Sequence, residues 1–407
     1  MTKQNTYNLL ILFTLVTFSF FGSLNHLFSL ALIIFMCGWY IRSSDHNLQK
    51  FKELILFLIL SSCFFIFVFT SLFRSNLTEL SYSLSPMLPI PLIGILLIFH
   101  NRTGLKLSSK KLSRFAQISI ISSLIVYVLL KVFAGQDSIL HSFHSGRLML
   151  FSGNPIPFSF CMLGVSIFCL ADWRHSNKKN KLIAFLLFST GIYFAGFLSG
   201  TRGTLFAILL IAPIIIFYIS NSLKTTLSIT FTSALFFIFL IQTNSIINGG
   251  NVYLMRIVDG LNTIVLKENI DNSIWQRLDM WSAGLKAFFK APILGYGITE
   301  RFIALKPYLK NSDINYTHPH NDIIAGFVSS GIIGGIAVLG SLISGVIAAV
   351  LASNWSPTKL YFALMISSSA IVTGNVSTVL FNDITSAWLV FSTYLIWATE
   401  FKDETQN

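Results

Sequence analysis

Between Asn315 and Leu339 the sequence reads NYTHPHNDIIAGFVSSGIIGGIAVL, a polar stretch with two histidines that gives way to an apolar, glycine-rich one. Pro319 suits the first turn of a helix, because it lacks the amide hydrogen that such a turn leaves unpaired. The pattern therefore predicts a helix beginning at Pro319, with His320, Asn321 and Asp322 in its first turn. There the free N–H groups and the helix dipole favour an anion. His320 becomes a titratable imidazole beside an anion site, where a polar loop meets an apolar segment. His318 stands two residues away. On a helix that spacing points two side chains in nearly opposite directions, so the two imidazoles do not share one task. With no Cys, Asp or Glu ligand set around them, the spacing also argues against zinc, and no metal or other cofactor is expected.

Isolated arginines are the other chemically interesting residues. Arg202 sits in Leu198-Ser-Gly-Thr-Arg-Gly203, between two apolar runs with almost no loop between them. A guanidinium there suits a bidentate grip on phosphate; the plainer alternative is a tight turn with a snorkelling side chain. Arg147, in His144-Ser-Gly-Arg147, is the only Lys or Arg between Lys131 and Arg174. It would bind an anion or simply anchor the chain at an interface. Arg277 lies at the edge of the apolar stripe of an amphipathic segment, and either binds an anion or bounds that stripe.

The absences narrow the chemistry. There is no Walker loop, no GxSxG and no HExxH. No acidic residue lies well inside an apolar run, which counts against a proton-coupled transporter. Glycoside hydrolysis would normally require two carboxylates. The acids of the long polar region (Asp259, Glu268, Asp271, Asp279, Glu300 and Asp313) show no obvious pairing.

The elements that must hold these groups are apolar helices. Of 407 residues, 54% are hydrophobic and only 11% charged, against roughly 25% charged in soluble proteins. Mean hydropathy is +0.71. The fold class is an all-α polytopic membrane protein. A membrane β-barrel would show short alternating segments instead. About twelve transmembrane helices are expected, near 7–24, 27–41, 54–73, 83–100, 115–133, 155–172, 182–199, 204–219, 225–243, 322–351, 359–378 and 382–399. The tenth is long for one crossing and glycine-rich, so it contains a kink or a helical stretch outside the bilayer.

The net charge of +12 does not imply nucleic acid, because the basic residues fall in short loops where topology explains them. Loops 42–52, 101–114 and 173–181 are Lys/Arg-rich and lie on one side with both termini, which makes that side cytoplasmic. The first apolar run lacks a small-x-small cleavage site and is read as an uncleaved helix. All four cysteines lie in apolar runs, so no disulfide framework is expected.

Three parts result: 1–243, a bundle of about nine spans; 244–321, a large outer loop; and 322–407, about three spans and a short cytoplasmic tail. Within the loop, Ser273 to Lys290 reads as an amphipathic helix lying at the membrane surface. Ile274, Trp275, Leu278, Trp281, Leu285, Phe288 and Phe289 share its apolar face, while Asp279, Lys286 and Lys290 point away.

Outer-face arginines with one histidine fit a particular chemistry. A sugar on a diphosphate already has a good leaving group, so cations that meet the charge developing on it supply the stabilisation. What remains is a base for the acceptor hydroxyl, and a histidine suits that. The inventory fits transfer of a glycan from a polyprenyl diphosphate to a hydroxyl acceptor.

The sequence also resembles the O-antigen ligase and polymerase superfamily of bacterial envelope enzymes. The residues that carry the resemblance are Ser199-Gly-Thr-Arg-Gly203, Trp275-Gln-Arg277, Met280-Trp-Ser-Ala-Gly284, Pro292-Ile-Leu-Gly-Tyr-Gly297 and His318-Pro-His-Asn-Asp322 before a span containing GIIGG. It is densest over roughly 195–340. It implies a twelve-helix fold with a large periplasmic loop, and a metal-independent, inverting glycosyltransferase of the bacterial inner membrane. Arg202 and Arg277 match diphosphate-binding arginines, with Arg147 a less close match, and His320 matches the proposed base. His318 and Asn321 are grouped with the substrate-binding residues. The implied donor is undecaprenyl-diphosphate-linked O-antigen, and for a ligase the acceptor is a sugar of lipid A–core. The short tail after the last span favours a ligase over relatives that glycosylate proteins. An O-antigen polymerase and, from another class, a lipid or glycan transporter are the competing expectations.

Overall fold

Wherever the structure describes them, the apolar runs fold as helices. The structure is a computed structural model and describes residues 2–20, 24–42, 50–72, 77–103, 105–133, 148–152, 154–233, 272–310 and 319–401. The helices are α1 (Lys3–Phe20), α2 (Leu24–Arg42), α3 (Lys50–Ser71), α4 (Leu77–Leu84), α5 (Pro89–Thr103), α6 (Ser109–Phe133), α7 (Pro155–Cys169), α8 (Lys178–Ile192), α9 (Arg202–Ser220), α10 (Asn272–Lys290), α11 (Asp322–Leu342), α12 (Ser344–Leu351), α13 (Pro357–Val376) and α14 (Asp383–Ala398). Residues 223–233 are helical too; the rest of the expected ninth span and residues 244–271 and 311–318 of the outer loop lie outside the described residues. One two-residue strand pair, β1 (Leu107–Ser108) parallel to β2 (Thr399–Glu400), ties the α5–α6 connection to the end of α14.

Six helical segments among the described residues are long and apolar enough to cross a bilayer, or seven if α4 and α5, bent by 49° at their junction, form one span. The outward faces agree with a membrane protein. Leu182, Phe185 and Leu186 on α8, and Leu209 and Leu210 on α9, are exposed; such apolar faces are stable only against lipid or another apolar partner.

The interior is built around α7 and α14, which are buried along nearly their whole length. Trp388 of α14 is fully buried, edge-on to Phe18 and Phe168. It fits because position 164 has no side chain: a Cβ on Gly164 would come within 2.4 Å of the indole.

The tenth apolar run breaks, as its glycines suggested. Ser330 and Gly331 leave helical geometry, Gly331 with φ of +65°. The chain folds back there. A Cβ on Gly334 would lie 2.4 Å from the Gly326 carbonyl oxygen, and one on Gly326 would lie 2.8 Å from Val338 Cγ2. In a straight helix positions eight apart are separated by about 12 Å, so the two halves of α11 are packed against each other as a hairpin.

The second half runs antiparallel to α3. Thr70 Oγ1 and Ser330 Oγ are 2.6 Å apart, and Ser341 Oγ donates to the Leu60 carbonyl at 2.8 Å. The first half, Asp322 to Ser329, therefore begins about eight residues back from the break, roughly 12 Å at the rise of a helix.

The break frees backbone groups, and the Pro292–Gly297 segment satisfies them. Tyr296 N–H donates to Val328 O and Gly297 N–H to Ser329 O, both at 2.8 Å, while Ile332 N–H donates to Pro292 O at 2.8 Å. Irregular backbone at such a place is tolerated when it is buried in protein and hydrogen-bonded. Both glycines of the contact are needed. Gly295, with φ of +62°, and Gly331 would each put a Cβ within 2.6 Å of the other segment's backbone.

The amphipathic helix forms where expected, with one residue of its polar face turned inward. Its small residues Ala283, Gly284 and Ala287 face the protein, with Gly284 against Ile324 of α11. The large apolar residues Leu278, Leu285 and Phe289 are exposed. Asp279 does not point away: it is buried, and its Oδ2 accepts from the Lys310 N–H at 3.0 Å. Small side chains allow the closer approach, while Trp281 and Phe288 of the apolar stripe also pack inward.

Candidate active site

Arg202 is set by a change of backbone rather than by a loop. The end of α8 continues as a π-helical stretch, Tyr193–Leu198. Ser199 Oγ then donates to the Ala195 carbonyl and accepts from the Thr201 N–H. Gly200 takes φ of +58°, and α9 starts at Arg202. Gly203 lets this start press on α13, since a Cβ there would meet Val376 Cγ2 at 2.4 Å.

Arg277 comes from α10, one turn before Trp281. Both arginines line one cavity of about 230 Å³, together with Gly200, Trp281, Thr373 and Ser377. Arg202 occupies the first turn of α9, so the guanidinium and a helix N-terminus reach the cavity together, an arrangement that suits an anion. Trp281 Nε1 and Thr373 Oγ1 are buried and have no hydrogen-bond partner among the described residues. Buried donors of this kind normally find an acceptor.

His320 stands beside this cavity, but not in the first turn of a helix. The helix starts at Asp322, with Asn321 as its N-cap, and His320 precedes the cap in a left-handed conformation, φ +50°. The expectation of a start at Pro319 is corrected. An asparagine with extended backbone is a strong N-cap, and its Oδ1 accepts from the Ile324 N–H at 3.0 Å. Asn321 Nδ2 donates to Asn375 O at 3.3 Å and Oδ1 at 3.1 Å. This fastens the histidine to the end of α13, next to the cavity-lining Thr373 and Ser377. The helix N-terminus that opens into the cavity is that of α9.

Burial, and then the nearby Arg277 charge, push the His320 imidazole down to about 4. It is therefore neutral at physiological pH and able to accept a proton. An anion beside Arg277 would cancel much of that charge and restore basicity.

Asp322 serves the fold. Its Oδ2 accepts from the Val379 N–H at 2.7 Å and the Leu380 N–H at 3.0 Å, holding the α13–α14 connection against the hairpin. Arg301 belongs to the same construction and was not singled out in the sequence. It is buried and stacks on Phe381, 4.2 Å from the ring centroid. Burial lowers it to about 10, opposed by the Asp322 charge, so it stays cationic at neutral pH. The available signal was a single charge in the apolar stretch Arg301-Phe-Ile-Ala-Leu305.

Arg147 and His318 lie outside the described residues. Arg202, Arg277 and His320 are brought together, and Asn321 is engaged in capping. Among the described residues no three His, Cys, Asp or Glu side chains are placed to share a metal ion.

Fold and site define a helical membrane protein with a cationic, histidine-flanked cavity at the ends of its helices. Residues 182–339, which contain Arg202, Arg277 and His320, match the family model described as O-antigen ligase. No curated protein matches the chain.

Proposed function

We propose that this protein is an O-antigen ligase, transferring a glycan from undecaprenyl diphosphate to a sugar hydroxyl of lipid A–core at the periplasmic face of the bacterial inner membrane. The observation that carries this is the meeting of Arg202 and Arg277, from distant parts of the chain, in one cavity beside His320. Both arginines and the N-terminus of α9 bind the diphosphate of the donor. Neutral His320 takes the proton of the acceptor hydroxyl as its oxygen attacks the anomeric carbon from the face opposite the diphosphate. The bond to the diphosphate oxygen breaks with inversion, and the charge that develops on undecaprenyl diphosphate stays with the guanidinium groups. Trp281 Nε1 and Thr373 Oγ1 donate to diphosphate or sugar oxygens. Asn321 positions the histidine, and the chemistry needs no metal.

Twelve crossings with both termini cytoplasmic bring this cavity to the periplasmic side, because the Lys- and Arg-rich loops stay inside. On the same topology Arg147 and His318 fall in outer segments of the sequence, and both are proposed as further donor-binding residues.

The test is lipopolysaccharide capping in cells. Alanine at Arg202, Arg277 or His320, in protein expressed at normal level, should abolish long-chain caps on lipid A–core; normal capping by all three variants would overturn the assignment. A deletion strain separates ligase from polymerase. Loss of a ligase leaves lipid-linked polymer unattached, whereas loss of a polymerase leaves lipid A–core bearing single repeats.

A further inference from the structure

A second cavity, of about 340 Å³, lies between α2 and α5 and is capped by the start of α14. Its sides are apolar: Leu30 and Ile33 from α2, and Leu88, Leu92 and Ile93 from α5 and the turn before it. Leu30, Leu88 and Leu92 are exposed, so in a bilayer the cavity opens sideways to lipid. One end is polar. His26 Nε2 and Asp383 Oδ2 are in hydrogen-bond contact at 3.3 Å. Ser29, also in the lining, is 1% exposed, and its Oγ has no hydrogen-bond partner among the described residues. A buried hydroxyl with nothing to bond is unusual in a helix that could have carried alanine there.

We propose that this cavity is a lipid site for a glycolipid, whose chain lies along Leu30, Ile33 and Leu92. Its uncharged sugar hydroxyls meet the His26–Asp383 pair and Ser29 Oγ. A phosphate headgroup does not suit it, because Asp383 would repel the anion. A carboxylate that accepts, an imidazole that donates and a serine that does either make a set suited to a polyol.

The cavity also has a structural link to the arginine site. Ser377 lines the first cavity and Asp383 the second, so the two are joined by the α13–α14 connection. Asp322 holds that connection through the Val379 and Leu380 N–H groups. Asn382 caps α14 by accepting from the Ile384 and Thr385 N–H groups, and Ser386 Oγ fastens the α4–α5 elbow by donating to Pro86 O at 2.7 Å. Resting on the glycosyl-transfer function proposed above, the second cavity holds the lipid-anchored acceptor while the first holds the lipid-linked donor.

The experiment uses the full-length protein in nanodiscs and a photoreactive alkyl maltoside with its diazirine on the chain. Cross-links should map to residues 26–33 and 85–93 and be suppressed by dodecyl maltoside but not by dodecylphosphocholine. Ser29→Phe, which fills the polar end, should cut labelling by roughly fivefold or more, a loss of about 1 kcal/mol of binding. Leu92→Trp, on the exposed rim, should do the same without burying a larger group. Uniform labelling of all lipid-facing helices, or labelling unchanged in both variants, overturns the site.

The acceptor role is read separately. With lipid A–core as acceptor, Leu92→Trp should raise acceptor KM about tenfold, equivalent to about 1.4 kcal/mol, with donor KM and kcat retained. An unchanged acceptor KM overturns that role. If the wild-type protein transfers nothing, the proposed function fails while the labelling result still decides the lipid site.

Discussion

Gly326 and Gly334, eight residues apart in one apolar run, lie against each other: a Cβ on Gly334 would sit 2.4 Å from the Gly326 carbonyl oxygen. That contact defines the hairpin in α11, and the hairpin sets where His320 stands. Were the run a single straight helix, its start would lie beyond the Ser71 end of α3 and away from Thr373 and Ser377.

The contact makes a stability prediction. Gly334→Ala should destabilise the protein by about 1–3 kcal/mol through overpacking and should lower transfer activity by displacing the histidine. Gly38, in α2, has nothing within 4 Å of its missing Cβ. Gly38→Ala should be neutral or stabilising by up to about 1 kcal/mol, since alanine is the better helix former. Thermal unfolding of the two variants in the same detergent compares them, and equal melting temperatures would contradict the hairpin packing.

The Trp281 indole N–H is buried at the cavity without a partner among the described residues. Trp281→Phe removes only that donor and keeps most of the ring. Melting should be unchanged, while transfer should fall by about 10-fold or more, the worth of one hydrogen bond to a charged group. Full activity in Trp281→Phe would show that the donor does not meet substrate.

The pH profile follows from the lowered His320. A base is active when deprotonated, so activity is lost as pH falls through its pKa. In the free protein that value is about 4, set first by burial and then by Arg277; kcat/KM, which reports the free enzyme, should stay flat down to about pH 5. In the donor complex the diphosphate offsets Arg277, so the acid limb of kcat should lie at higher pH. Arg277→Ala should also raise the acid limb of kcat/KM. Identical acid limbs in kcat and kcat/KM would argue against an anion bound between Arg277 and His320.

Asp322 and Arg301 make a separate prediction. Asp322→Ala leaves the Val379 and Leu380 N–H groups without their acceptor, and each such loss costs about 1–3 kcal/mol. A double-mutant cycle with Arg301→Met should show coupling between the two sites, because the charge of Asp322 supports the buried guanidinium. Additive effects on unfolding would contradict that link.

Much of the helical layout was legible because apolar runs of span length have few other solutions in a membrane, and Ser199-Gly-Thr-Arg-Gly203 announced a charge at a helix junction. The direction of the chain at His320 was not legible. Pro319 and Asn321 both suit a helix start, and only the hydrogen bonds of Asn321 to Ile324 and Asn375 decide between them. The protein-facing side of α10 was not foreseen for a related reason. Its large apolar residues gave the stronger periodic signal, but the close contact is made by Gly284 against Ile324, and small residues carry almost no weight in a hydrophobic pattern. Arg301 was passed over because its burial depends on Phe381 and Asp322, both remote in sequence.

The most direct measurement is binding of undecaprenyl diphosphate to the purified protein, read beside glycan transfer in the same preparation. Arg202→Ala and Arg277→Ala should each weaken binding at least about 10-fold, or 1.4 kcal/mol. His320→Ala should bind as the wild type does yet transfer nothing. Wild-type affinity in both arginine variants would contradict a shared diphosphate site in this cavity.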